Sequence, residues 1–218
     1  MRSRKKQRYH THAILINSHL CGIIGMQSSL KWLFLLFTPY SLALSTFLLF
    51  YHQTTYSRNF WIFCFSIFFL GYGVEVAGVH TGLVFGEYTY GSTLGFKLAE
   101  VPIVMGINWL NLIYSVGVIF NRLKTSIWIK SLVGATALMF LDFLIEPIAI
   151  HYDYWTWKTV SVPIQNYIAW FIISFTFLIL FYSMKFKKEN KLALLFFVVQ
   201  VFFFAVLNFL QMELEWSN

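Results

Sequence analysis

Six runs of about twenty apolar residues order the chain, near positions 31–51, 59–79, 101–121, 128–150, 163–184 and 191–211. A hydrocarbon core of ~30 Å takes about 20 helical residues, so each run predicts a membrane-spanning helix. Residues 12–29 are uncharged but patchy, interrupted by Asn17, Ser18, His19 and the Gln27-Ser28-Ser29 cluster. A secretory signal would have an unbroken apolar core, so this stretch predicts a weak seventh span. Met26 is an alternative start that would leave six. The fold class is therefore all-α, a polytopic transmembrane helix bundle. Residues 1–29 form a basic arm with a weak apolar segment, and 30–218 a single transmembrane domain. Two loops break the pattern. Residues 80–100 run through Phe85, Tyr88 and Tyr90, and 151–162 through Tyr154, Trp155 and Trp157. Aromatic and punctuated by Gly or Pro, they predict interfacial segments or lids folded over a cavity, not solvated linkers.

Composition agrees with the pattern. The chain is 58% hydrophobic and only 11% charged, with a mean hydropathy of +0.66; a soluble domain carries about twice that charge. The net charge of +7 does not indicate a nucleic-acid partner, because the basic residues fall in short clusters between apolar runs. Arg58, then Arg122, Lys124 and Lys130, then Lys185, Lys187, Lys188 and Lys191 follow the first, third and fifth clear spans. Lys31, Lys97 and Lys158 lie on the other face. The richer face is expected to be cytoplasmic, in a multi-pass protein of the cell membrane. The arm with Arg2, Arg4, Lys5, Lys6 and Arg8 joins that face if residues 12–29 cross. Cys21 and Cys64 are far apart, and no histidine pair has ligand spacing within a span, so no disulfide framework and no metal is assigned.

The informative residues are the acids. Six of the nine lie between positions 75 and 153. Asp142 and Glu146, four apart, share one helix face inside an apolar run, with Pro147 directly after. A carboxylate facing lipid there would cost ~2.5–3.5 kcal/mol, so the pair calls for an enclosed polar site. At ~1.5 Å per helical residue, Glu75 lies roughly 25 Å from Arg58 and Glu146 roughly 24 Å from Lys130. Both acids then reach one depth, with Asp142 a turn deeper. The plainer reading, that an acid merely points to interfacial water, suits Glu87, Glu100 and Asp153 better than Asp142. Gly71, Gly78 and Gly82 share the face of Glu75, which predicts close helix approach. Asn108, Asn111 and Ser115 make a polar stripe suited to interhelical hydrogen bonds.

Three ordered blocks carry a family resemblance. The first is Glu75, Gly78, Thr81, Gly82, Phe85, Gly86, Tyr88 and Tyr90. The second is Pro102 with Asn108-Trp109. The third is Asp142, Glu146-Pro147, Ala149, Trp155, Trp157, Pro163, Asn166 and Trp170. Over about 59–184 the chain resembles the integral-membrane carotenoid hydratases, which include bisanhydrobacterioruberin hydratase. The resemblance implies addition of water to the terminal double bond of an acyclic (ψ) carotenoid end, giving a tertiary alcohol. It implies no redox cofactor or metal, and as partners a membrane-embedded polyene, water, the lipid bilayer and other carotenoid-pathway enzymes.

That chemistry can be matched to residues. Hydrating an alkene requires a carboxylic acid that keeps its proton near neutral pH, and low dielectric with a second carboxylate nearby favours that form. Asp142, Glu146 and Glu75 are the catalytic candidates, with Asp142 as proton donor, Glu146 positioning water and Glu75 holding the charge balance. The carbocation needs electron-rich walls. Tyr88, Tyr90, Trp109, Trp155, Trp157 and Trp170 are the candidates, with Asn166 beside them as a further substrate-site residue. Two other classes compete: a proton-coupled transporter, since intramembrane carboxylates also form proton relays, and a non-catalytic membrane subunit. A faint repeat, from Glu75 to Trp109 and again from Glu146 to Trp170, suits the transporter reading.

Overall fold

Ser57 and Ser126 start two long helices by the same device, each side chain accepting the backbone N–H three residues on, from Phe60 at 3.2 Å and Ile129 at 3.3 Å. Such a cap satisfies one of the four N–H groups a helix start leaves open. A computed structural model describes residues 2–216, with side chains over 10–213; the side chains of the predicted basic arm, Arg2 to Arg8, lie outside the described residues. In chain order the helices are α1 (Arg2–Met26), α2 (Lys31–Leu36), α3 (Thr38–Tyr51), α4 (Arg58–Thr81), α5 (Val104–Phe120), α6 (Ile127–His151), α7 (Ile164–Ser183) and α8 (Ala193–Trp216). Four of them, α4, α6, α7 and α8, are long and apolar enough to cross a membrane.

Two predicted spans come out differently. The run at 31–51 is broken into α2 and α3 at Phe37. Pro39 enters α3 in its first turn; its ring crowds the carbonyl four residues back and it has no N–H to give. The run at 101–121 opens as strand, not helix. β3 (Val101–Pro102) pairs antiparallel with β2 (Lys97–Leu98), and a helix cannot run through the turn between them, where Ala99 and Glu100 take φ of 48° and 62°. α5 is therefore only 17 residues long.

The two aromatic loops also contain strand. β1 (Tyr88–Tyr90) and β4 (Trp155–Trp157) pair antiparallel, Tyr88 opposite Trp157, Thr89 opposite Thr156 and Tyr90 opposite Trp155. Alternation sends the four aromatic rings inward and both threonines outward. The ribbon closes one end of the bundle. An exposed ion pair, Lys158 to Glu87 at 2.7 Å, continues it. The bonded ammonium holds the Glu87 carboxyl below its ordinary range.

The basic loops gather at the other end. Gln53 Nε2 donates to the Lys187 carbonyl at 2.9 Å, and Asn59 Nδ2 to that of Lys185 at 3.0 Å. Between that end and the ribbon lies a buried polar plug. Tyr114 O–H donates to Gln53 Oε1 at 2.5 Å, and Asn190 Nδ2 to Tyr114 Oη at 3.0 Å. α1 runs the full height, from Thr11, bonded to His52, to Met26, whose carbonyl accepts from Tyr152 O–H at 3.1 Å.

Candidate active site

Glu75 is buried on α4 and accepts three hydrogen bonds. Tyr88 O–H and Tyr90 O–H reach Oε2 at 2.7 Å each, and Trp109 Nε1 reaches Oε1 at 2.8 Å. Glu146, buried on α6, is held in the same way. Trp155 Nε1 and Trp157 Nε1 donate to Oε2 at 3.1 and 2.9 Å, and Asn166 Nδ2 to Oε1 at 3.0 Å. The ribbon aromatics thus aim their polar edges, not only their faces, at the two carboxylates. Asn166 Nδ2 also donates to Asp142 Oδ2 at 2.8 Å, so one amide joins two carboxyl groups. Asp142 Oδ1, fully buried, has no hydrogen-bond partner.

Ring contacts join the halves. Trp109 stacks on Trp170 with centroids 4.2 Å apart and planes at 19°, while Tyr88 lies 5.2 Å from Trp157. All ten residues singled out from the sequence therefore belong to one connected cluster. Gly71 lets α4 and α5 approach closely, as the small-residue face predicts, at Trp109, while Gly78 admits the loop residue Phe85 instead of a helix. A Cβ on Gly71 would lie 2.6 Å from Trp109 Cβ, and one on Gly78 would lie 2.6 Å from Phe85 Cδ2. Gly71→Ala should therefore displace the indole from Glu75. We expect a loss of ~1–3 kcal/mol, typical of overpacking, read as a lower melting temperature with shifted tryptophan emission. Of the polar stripe, Asn111 does bridge helices, accepting from Thr46 O–H at 2.9 Å and donating to the Leu42 carbonyl at 3.1 Å.

The cluster repeats itself. α4–β1–α5 and α6–β4–α7 each run carboxylate, aromatic-Thr-aromatic strand, proline, tryptophan, and the strands pair about Thr89 and Thr156. Trp109 stands seven residues after Pro102, and Trp170 seven after Pro163. On that alignment Gly71 of the first unit corresponds to Asp142 of the second, and Met105 to Asn166. The polar pair Asp142–Asn166 belongs to one unit alone.

Two cavities meet here. A small one of ≈ 20 Å³ is lined by Glu75, Glu146, Tyr88, Tyr90 and Asn166 among others; one water needs about 10–15 Å³ and two to four polar partners. A larger, chiefly apolar chamber of ≈ 370 Å³ shares Met105, Trp155 and Trp170 with it. Asp142 borders neither, but Leu141 and Ile145, on either side of it along α6, both line the chamber. Met105 is a site residue that sequence reasoning missed, and Phe85 stood in the first family block without a site role; nothing distinguishes an apolar wall residue from core in a chain this hydrophobic. Among the described residues no group of three or more His, Cys, Asp or Glu is arranged to hold a metal ion.

Apolar helices around an enclosed set of carboxyl groups define a polytopic membrane protein with an internal polar site. The chain belongs to the carotenoid biosynthesis protein family, whose model matches residues 19–216, and its role lies in that pathway. It is 29% identical over 118 residues to bisanhydrobacterioruberin hydratase of Haloarcula japonica. That match covers 50% of this chain and 40% of the relative, so the two share well under two thirds of the relative's length. No solved structure matches the chain.

Proposed function

We propose that the protein is a carotenoid hydratase, adding water to the terminal C=C of an acyclic polyene end to give a tertiary alcohol. The observation that carries this reading is the unequal hydrogen bonding of the three acids. Glu75 and Glu146 each accept three donors, as carboxylates do. Asp142 accepts one and keeps Oδ1 unpartnered in an apolar setting. A buried oxygen in that position is best accommodated as a neutral carboxylic acid. Repeat asymmetry supports the same assignment: carboxylates tied to the ribbon occur in both units, while Asp142 and Asn166 occur in one.

The step balances without further reactants. Asp142, which borders neither cavity at rest, turns past Leu141 and Ile145 into the chamber and gives its proton to the less substituted alkene carbon, leaving a tertiary carbocation. Trp155 and Trp170, which face the chamber, attract it by cation–π interaction worth ~0.5–2 kcal/mol each. A water in the small cavity adds to the cation and loses a proton to Glu146. The Asp142–Glu146 pair ends with the proton count it began with, and the polyene has gained one water. Glu75 carries the charge that opposes the cation from the other unit.

In the same reading α1 crosses as a seventh span beside six others, in the cell membrane, with the basic loops cytoplasmic. Residues 30–218 form one domain against which α1 packs. The test is expression in a host that accumulates lycopene. The expected result is a pigment heavier by one water; a chain present in the membrane that yields no hydrated pigment would overturn the assignment.

A further inference from the structure

The ≈ 370 Å³ chamber has a wall, a floor and a mouth of different chemistry. Its wall toward the carboxylates is Met105, Trp155 and Trp170. Deep in the lining, His19 of α1 and Gln200 of α8 are bonded to each other at 3.2 Å, and His19 Nδ1 lies 2.8 Å from the Leu15 carbonyl. Those polar atoms are partnered within the protein and ask nothing of a ligand. Only three lining residues are exposed: Phe37 at 53%, Tyr40 at 66% and Leu44 at 37%. All three come from the α2–α3 break and the turns after it. A mouth edged by exposed apolar side chains on a membrane protein opens toward hydrocarbon rather than water. A second groove, of ≈ 630 Å³, lies between α2–α3 and residues 92–107 but touches none of the carboxylates or their partners.

We propose that the chamber is the binding site for one end of a linear polyene, and that the polyene enters sideways from the bilayer at the α2–α3 break. The identity of the ligand rests on the hydratase reading; the site and its door rest on the cavity and its exposed edge. At ≈ 370 Å³ the chamber is at the small end of the ~300–1,000 Å³ range of ligand pockets. One terminal segment fits, and the rest of the chain stays in lipid. The break at Phe37 then has a use, because Phe37 itself, with Tyr40 and Leu44 just after it, forms the exposed edge of the mouth. α1 becomes a wall of the substrate site through Ser18, Gly22 and Met26.

The experiment places bulk in the chamber. Ser41→Trp fills it from α3, Leu44→Trp narrows the mouth, and Phe47→Trp on the outer face of α3 (65% exposed) is the control. Each purified chain is mixed with lycopene in detergent, and binding is read from the shifted visible absorption band and its induced circular dichroism. Conversion is read in membranes and folding from the melting temperature. Ser41→Trp and Leu44→Trp are expected to weaken binding and conversion at least tenfold, with Phe47→Trp unchanged. Should Ser41→Trp fail to fold, Leu44→Trp alone decides, since its side chain already reaches the surface. Wild-type binding and conversion in a folded chamber variant would overturn the proposal. A wild-type chain that binds lycopene, loses binding on Leu44→Trp and yet forms no hydrated product would keep the chamber and reject the hydratase reading.

Discussion

Asp142→Asn is expected to lower hydration at least ~10²-fold, the usual scale for loss of a general acid, with the protein still present in the membrane. Asparagine has the size of the native side chain, and its carbonyl oxygen can accept the Asn166 Nδ2 bond now 2.8 Å long. What it lacks is a proton acidic enough to reach an alkene. The unpartnered oxygen becomes an amide edge in the same closed space, so packing around Leu141 and Ile145 changes little. Glu146→Gln should reduce the rate less, because an amide oxygen still accepts from Trp155 and Trp157 and still orients water. The measurement is hydrated pigment formed per unit of membrane-inserted protein. An Asp142→Asn chain at normal level that hydrates lycopene at the native rate would move the acid to Glu146 or Glu75.

Why those three acids were legible from sequence is a matter of cost. A carboxyl group in an apolar run is expensive, so Glu75, Asp142 and Glu146 stand out, and a rise of ~1.5 Å per residue puts them near one depth. Apolar run length likewise located α4, α6, α7 and α8 to within a few residues at most boundaries. Non-local detail was hidden. Tyr-Thr-Tyr and Trp-Thr-Trp lie far apart in the chain, and nothing local says that they pair or in which register. Yet that register decides which ring donates to which carboxylate. Pro39 was visible inside its run, but only its effect on Phe37 and α3 makes it a break. His19 entered only as an interruption of the 12–29 run and Gln200 carried no signal, because their partnership exists only once α1 lies against α8.

Glu75→Leu should be the most destabilising single change in the site. It leaves Tyr88 O–H, Tyr90 O–H and Trp109 N–H without the acceptor they share, all three in the buried interior. An unsatisfied buried donor costs ~1–3 kcal/mol, so the sum is several kcal/mol against a total stability of roughly 5–15. We expect a melting temperature in detergent well below that of the native chain, or failure to accumulate. Glu75→Gln keeps one oxygen acceptor, and the tyrosine hydroxyls can accept from its amide, so its loss should be milder. The decisive comparison adds Tyr88→Phe and Tyr90→Phe. In the native background these two changes remove donors from a carboxylate and should destabilise. In the Glu75→Leu background they remove groups already stranded, and stability should partly recover, since replacing both partners of a buried hydrogen bond by apolar groups is nearly neutral. Strictly additive losses across this cycle would show that the ribbon is held by ring packing alone, and that Glu75 does not anchor it.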